Sequence, residues 1–355
     1  MSISGKTHIL VFPYPAQGHM LPILDLTHQL ALHGLSITIL VTPKNLPTLT
    51  PLLHTHPSSI QTVVLPFPPH PKIPPGLENI KDIGNHGNLY VINALANLQA
   101  PIVDWFRSHP NPPVALVSDF FLGWTLHLAH QLGIPRITFY SSGAFLASVF
   151  HYCWRNLDKM RPSSGIVHFP DLPRSPSFKQ DQVPSVVRCH RESDPESELL
   201  RNSMLANTES WGCVFNSFED FEAEYFAHLR IKMGHSRVYA VGPLSLTAAA
   251  AADDSSLGRA NPNKDSGANV MTWLDGCPDG SVLYVCFGSQ KLPNRRQMEA
   301  LASGLERSGV RETPEKVRAK ELRDKAFAAV GSGGSSSKHL DELVKELDQL
   351  KVGRK

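Results

Sequence analysis

Residues Thr7 to Val41 constrain the fold of this chain more than any other stretch. Thr7–Pro13 (T-H-I-L-V-F-P) is a short apolar run with a β-branched start, long enough for a buried strand. Tyr14–Gly18 (Y-P-A-Q-G) is a tight turn built from proline and glycine. In His19–His33, Leu21, Leu24, Leu26, Leu30 and Leu32 recur at mostly helical spacing, and Gly34 stands where a helix C-terminal glycine belongs. Ser36–Val41 (S-I-T-I-L-V) is a second strand. A strand, a helix and a parallel strand make a βαβ unit, which implies a right-handed crossover and helices over the sheet. Ligands of such sheets bind beyond the carboxyl ends of the strands. His19 lies at that edge, in the first turn of the helix.

With 355 residues the chain has room for two domains and a sizeable core. Its net charge of +2 is too weak a basic excess to predict nucleic-acid binding or attraction to a membrane surface. The five cysteines are scattered, with no C-x-x-C pair and no zinc spacing, and Cys213 and Cys286 sit in apolar runs that read as core. Their odd number, and the lack of a signal peptide at Met1–Lys6, lead to the expectation of a reducing, cytoplasmic setting. No apolar run reaches the roughly 18 residues that a membrane span needs.

Further strands are expected at Ile60–Leu65, Val114–Ser118, Pro135–Tyr140, Gly212–Asn216 and Val238–Val241. Helices are expected at Asn85–Ser108, Phe121–Leu132, Phe145–Leu157, Glu196–Glu209 and Phe218–Met233. Pro66–Pro75 is too rich in proline for helix or central strand and reads as a stiff surface loop, either lining a site or merely connecting. Asp158–Ser193 reads as an irregular insertion over the binding face. Thr247–Asn269 is low in complexity and reads as a flexible linker. Beyond it come a helical stub at Met271–Leu274, a buried strand at Ser281–Phe287, and helices at Asn294–Ser308, Glu315–Val330 and, with one leucine face, Leu340–Leu350. Trp273 reads as packing. One strand cannot form a parallel sheet, so the last helical face and the Ser281–Phe287 strand are expected to lack partners.

Three strand ends thus present His19, Asp119 and Ser141 on one edge. A histidine at the positive end of a helix dipole is favoured as the neutral base, and a nearby carboxylate would orient its ring. Asp119 suits that role, and equally the N-cap of the helix after it. Gln17-Gly18-His19 is not the G-x-G-x-x-G of a dinucleotide site, and P-loop, H-E-x-x-H and G-x-S-x-G motifs are absent. Gly288-Ser289, after a strand, has backbone N–H groups and a hydroxyl to offer a diphosphate, but is a common turn.

H-I-L-V-F-P-Y-P-A-Q-G-H-M-L-P-I-L-D-L, V-S-D-F-F-L-G-W, V-F-N-S-F-E-D, V-G-P-L, W-L-D and V-L-Y-V-C-F-G-S, in that order, resemble the plant family 1 UDP-glycosyltransferases from about Thr7 to Arg311. The resemblance implies an α/β fold of GT-B type: an N-terminal acceptor-binding Rossmann-like domain (1–246), a linker (247–269) and a truncated C-terminal Rossmann-like donor domain (270–355). It also implies transfer of a sugar, with inversion, from a UDP-sugar co-substrate to a hydroxyl of a small phenolic or flavonoid acceptor, without a metal or resident cofactor. His19 would then be the general base and Asp119 its orienting carboxylate. Gln17, Gly18, Ser141 and Ser289 would bind substrate, Ser141 at the transferred sugar and Ser289 at the diphosphate. The family's donor signature, with W-A-P-Q, H-C-G-W-N-S and a closing D-Q, is missing between Ser308 and Glu312. That departure implies a weakened donor site. Three readings follow: a glycosyltransferase, a catalytically inactive remnant that binds small aromatics or associates with full-length relatives, and, least supported, a dinucleotide-dependent enzyme.

Overall fold

Short Val-, Ile- and Leu-rich runs separated by helical segments assemble into a parallel sheet with both faces covered, because strands of this kind are apolar on both sides. The structure is a computed structural model and describes residues 5–251, 270, 272–278, 281–287, 293–308 and 314–352. Its strands are β1 (His8–Phe12), β2 (Ser36–Val41), β3 (Ile60–Val64), β4 (Ala115–Asp119), β5 (Arg136–Tyr140), β6 (Ile166–His168), β7 (Ser177–Lys179), β8 (Gly212–Phe215) and β9 (Val238–Ala240). The helices up to the sheet's last strand are α1 (Gln17–Leu32), α2 (Thr50–Thr55), α3 (Ile80–Ile83), α4 (Asn88–Ala96), α5 (Gln99–Ser108), α6 (Thr125–Leu132), α7 (Ala144–Arg155), α8 (Ser185–Arg188), α9 (Pro195–Ala206) and α10 (Glu219–Met233). After it come α11 (Leu244–Ala251), α12 (Arg295–Ser308), α13 (Pro314–Val330) and α14 (Ser335–Val352).

Seven strands pair in parallel in the order β3-β2-β1-β4-β5-β8-β9. The chain first builds outward from β1 to β3, then returns to place β4 on the other side of β1. The crevice between β1 and β4 is therefore the topological switch point, where such sheets hold their ligands. Side chains alternate across the sheet: Leu10 and Phe12 enter the larger core, Ile9 and Val11 the core that α1 covers.

Several elements differ from the sequence expectation. The expected helix Asn85–Ser108 is a 3-10 turn followed by α4 and α5, broken at Asn97–Leu98. The segment from Phe121 opens with a 3-10 turn, Phe120–Leu122, before α6. The insertion Asp158–Ser193 carries the antiparallel β6–β7 ribbon and α8. Helix α11 takes up Thr247–Ala251, the first part of the expected linker. Ser281–Phe287 is no strand: every residue of it is exposed, Tyr284 at 85%, because among the described residues no strand pairs with its backbone. Cys286 is exposed with it, unlike the buried Cys213, and Trp273 is 60% exposed rather than packed.

The leucine face of the last helix does find a partner. Leu340, Leu343 and Leu347 of α14 are buried in the same core as Ile9, Ile37 and Val214. His339 Nδ1 accepts from the Ala240 N–H at 3.1 Å, and the Ser336 hydroxyl donates to the Gly242 carbonyl at 2.6 Å. Thr7 donates to Asp348. Helix α14 thus covers the β9 edge, where an open strand would invite pairing with other chains. Helix α13 adds Ala326 and Ala329 against Phe218.

Two stability predictions follow from this packing. Leu343 is 0% exposed, so Leu343→Ala should lower unfolding stability by about 2–4 kcal/mol, read from urea denaturation. An unchanged midpoint would mean that α14 is not seated on the sheet. The second concerns α7, where burial, with Arg155, Lys232 and His228 adding to it, pushes His151 from 6.5 down to about 4. The unfolded chain takes up a proton there that the folded one refuses, so this contribution is complete above pH 6.5 and is lost as pH falls toward 4. Melting curves at pH 7.5 and 5 should show a smaller acid loss for His151→Gln than for the parent chain.

Candidate active site

Strand β1 ends in Pro13-Tyr14-Pro15, whose prolines stop the ladder and turn the chain into α1 at the N-cap Ala16. His19 is the third residue of α1, so its ring stands beside the helix's positive end. Strand β4 ends in Asp119, which is 0% exposed. The register Phe12↔Ser118 sets these two strand ends side by side. His19 Nδ1 lies 2.9 Å from Asp119 Oδ2. The other carboxylate oxygen, Oδ1, accepts the Phe121 N–H at 2.9 Å. Asp119 thus contacts the His19 ring and at the same time caps the 3-10 turn Phe120–Leu122; α6 itself starts after Trp124, so the cap is on that turn and not on the helix expected from Phe121.

That bond fixes the imidazole. With Asp119 accepting at Nδ1, the neutral ring carries its proton on Nδ1 and leaves Nε2 as the basic nitrogen. The ring is stacked on Phe120 (5.2 Å between centroids, 21°) and flanked by Phe121 at 4.7 Å and Tyr14 at 5.2 Å. Tyr14 is itself fixed by donating to Asn88 Oδ1 at 2.7 Å. Burial, with the Asp119 charge behind it, pushes its phenol well above the usual range, so Tyr14 is a neutral donor and not a base. The His19 side chain remains 17% exposed. Such a group can accept a proton from a hydroxyl that reaches Nε2, with Asp119 stabilising the imidazolium that forms.

Gln17 and Gly18 form the exposed first turn of α1 in front of His19. A Cβ on Gly18 would meet nothing within 4 Å, so the protein's own packing does not require glycine there. Ser141 follows β5, one strand beyond Asp119 on the same sheet edge, and is partly exposed. Ser289 lies outside the described residues. The structure therefore brings His19 and Asp119 into contact, sets Gln17 and Gly18 beside them, and leaves Ser141 one strand away.

The sequence reading missed the groups that hold this edge. Glu222 accepts the Ala144 and Phe145 N–H groups at 2.9 and 2.8 Å and the Ser217 hydroxyl at 2.6 Å. A carboxylate thus occupies the N-terminus of α7, and a Cβ on Gly143 would come within 2.1 Å of it. The anion seat next to Ser141 is filled from within the chain. Only the acidic run Glu219–Glu222 after V-F-N-S-F hinted at this. Tyr14 and Phe120-Phe121 sat within the quoted motifs but without an assigned role.

The proline-rich loop does line a cavity, of about 580 Å³, between Phe67 and Glu78. Glu196 ties the loop to α9 through His70 (3.1 Å) and Lys72 (2.7 Å), and Lys72 lies 4.6 Å over the Tyr90 ring. His19, Asp119 and Ser141 are not among its lining residues. Among the described residues, no group of three or more His, Cys, Asp or Glu is placed to hold a metal ion, and no helix is long and apolar enough to cross a membrane.

A doubly wound parallel sheet with a histidine–aspartate pair at its switch point is an α/β arrangement that many unrelated proteins share, and comparison with known proteins bears on which one. No family model matches the chain. It is 50% identical over 309 residues to UDP-glycosyltransferase 89A2 of Arabidopsis thaliana, covering 87% of this chain and 64% of that protein. It is 49% identical over 312 residues to UDP-glycosyltransferase 89B2 of Stevia rebaudiana (87% and 65%), and 48% over 311 residues to flavonol 3-O-glucosyltransferase UGT89B1 of Arabidopsis thaliana (86% and 63%). Among solved structures, Arabidopsis thaliana UGT89C1 complexed with UDP-L-rhamnose superposes with a TM-score of 0.72 at 27% identity, over 96% of this chain and 99% of that one. Its quercetin complex gives 0.74, again at 27% identity, over 96% and 99%. The chain belongs to the plant family 1 UDP-glycosyltransferases. It spans just under two thirds of the length of the curated relatives named here.

Gly18 offers a test of the site's construction. Because alanine fits there and favours helix, Gly18→Ala should raise unfolding stability by up to about 1 kcal/mol. A fall in stability would show that the glycine serves the fold.

Proposed function

We propose that this chain transfers a sugar from a UDP-sugar to a hydroxyl of a small phenolic or flavonoid acceptor, with inversion, His19 acting as general base and Asp119 as its orienter. The observation that carries the reading is the 2.9 Å His19–Asp119 bond at the switch point, which leaves Nε2 as the basic nitrogen. The acceptor hydroxyl approaches Nε2 and gives up its proton as its oxygen attacks the anomeric carbon. UDP leaves from the opposite face of the sugar. Gln17 and Gly18 flank the acceptor, with Gly18 giving it room, and Ser141 and Ser289 serve the donor. The named relatives favour a flavonol acceptor and UDP-glucose or UDP-L-rhamnose as donor.

Donor grip is the weak side of this reading. The segment bearing W-A-P-Q and H-C-G-W-N-S is missing from the sequence, and Ser281–Phe287 has no sheet around it among the described residues. Positioning the electrophile accounts for large rate factors, whereas a general base supplies only about 10²–10⁴-fold. Transfer should therefore be slow beside UDP-glycosyltransferase 89A2.

The purified chain is incubated with UDP-glucose or UDP-L-rhamnose and a panel of flavonols and simple phenols, and glycoside is scored by mass spectrometry. Slow product formation that falls about 10²–10⁴-fold in His19→Ala is expected. Gly18→Ala should also lose activity while keeping its fold. Product that survives His19→Ala would overturn the role of His19. No product, with acceptor still bound, would instead identify an acceptor-binding remnant.

A further inference from the structure

Behind the His19–Asp119 pair lies a cation that the reading so far leaves unused. Arg136 opens β5 and is 1% exposed. Its Nε donates to Ser118 Oγ and Thr125 Oγ1, both at 2.9 Å. Nη1 donates to Thr138 Oγ1 (2.9 Å), Asn207 Oδ1 (3.0 Å) and Ser210 Oγ (2.9 Å). Nη2 donates to the main-chain carbonyl of Asp119 at 3.3 Å. Every one of these acceptors is neutral. A buried guanidinium is costly without an opposite charge nearby, and so is a buried carboxylate. Burial pushes Arg136 down to about 10, which still leaves it charged at neutral pH. The titratable groups around it are Cys213 on β8, Tyr140 on β5 and Asp119 on β4. Burial holds the first two protonated, with Cys213 pushed up to about 12. Of these three Asp119 is the carboxylate, and its charge acts favourably on Arg136 without a direct ion pair, across the main-chain contact at Nη2. On its other side Asp119 meets His19, and the phenol that faces both is the neutral Tyr14.

We infer that Arg136 is a positioning residue for this pair, fixing the Asp119 main chain and supplying the counter-charge that keeps the carboxylate ionised while His19 is neutral. This rests on reading His19 as the base. A base must rest unprotonated, yet a buried aspartate with no other cation would draw a proton onto the histidine it touches. Arg136⁺ and Asp119⁻ already balance, so the imidazole stays neutral until the acceptor supplies the proton. Once the imidazolium forms, the same cation opposes it and favours release of the proton after transfer.

Substitutions separate charge from packing. The His19 ring ¹³Cε1–¹H signal, assigned by its absence in His19→Gln, is titrated in the parent chain, Arg136→Lys and Arg136→Gln. Both Arg136 variants lose hydrogen bonds and should melt earlier. The His19 midpoint should rise by about half a pH unit or more in Arg136→Gln and stay within about 0.2 in Arg136→Lys. An unmoved midpoint in Arg136→Gln, or equal shifts in both, would leave Arg136 a packing residue and overturn the inference. Should Arg136→Gln not fold, the parent chain carries the test. Its Arg136 Nε–H signal should inflect at the His19 midpoint and lose that inflection in His19→Gln; a flat signal refutes the coupling. None of these readouts needs turnover, so a failure of sugar transfer and a failure of this coupling remain distinguishable.

Discussion

The parallel pairing of β1 with β4 is the constraint on which the site depends. These strands are far apart in sequence, and their register, Ile9↔Ala115 through Phe12↔Ser118, decides where both ends fall. Side chains alternate faces along a strand, so a slip of one residue would turn Asp119 to the other side of the sheet. His19 would then lose its orienting carboxylate even with α1 unchanged. The register is held by burial on both faces, since Ile9, Val11, Val117 and Leu116 would all be misplaced by the same slip. Core packing and the geometry of the histidine–aspartate pair are one constraint here.

Charge is distributed along the sheet edge so that each anion already has an internal use. Asp119 serves the Phe121 N–H, His19 and the charge balance of Arg136. Glu222 fills the N-terminus of α7, a position that would otherwise attract a phosphate. By contrast, the first turn of α1 has no acidic residue, and Gln17 and Gly18 there are exposed. Of these two helix starts on the edge, α1 is the one left open to a ligand, and it is the one that carries His19.

Much of this was legible in local sequence. Periodicity, proline and glycine marked β1, α1 and β2 to within about two residues, and the same signals set Asp119 and Ser141 at strand ends. Local pattern was misleading where a neighbour decides the outcome. Ser281–Phe287 has the composition of a buried strand but, among the described residues, no strand to pair with. The leucines of α14 announced an apolar face without saying that β9 and the core that α1 covers would receive it. Arg136 read as one more strand residue, because the six groups that hold it come from Ser118 through Ser210 and meet only in the fold.

The histidine–aspartate pair and its supports, Tyr14, Asn88, Phe120, Phe121 and Arg136, all come from the stretch between β1 and β5. Helix α14 closes the far side of the same sheet and borrows nothing from Ser281–Phe287 in doing so. The histidine–aspartate edge is thus preformed by its own packing, and in the proposed reaction the base is oriented before any donor arrives. What a base so placed can achieve is then limited by how long an anomeric carbon is held in line with the attacking oxygen, since misplacement of the electrophile costs more than any deficiency of the base can. In the proposed reaction, differences in activity between this chain and longer relatives should accordingly lie in the affinity and geometry of the donor, with the proposed base at His19 behaving alike in both.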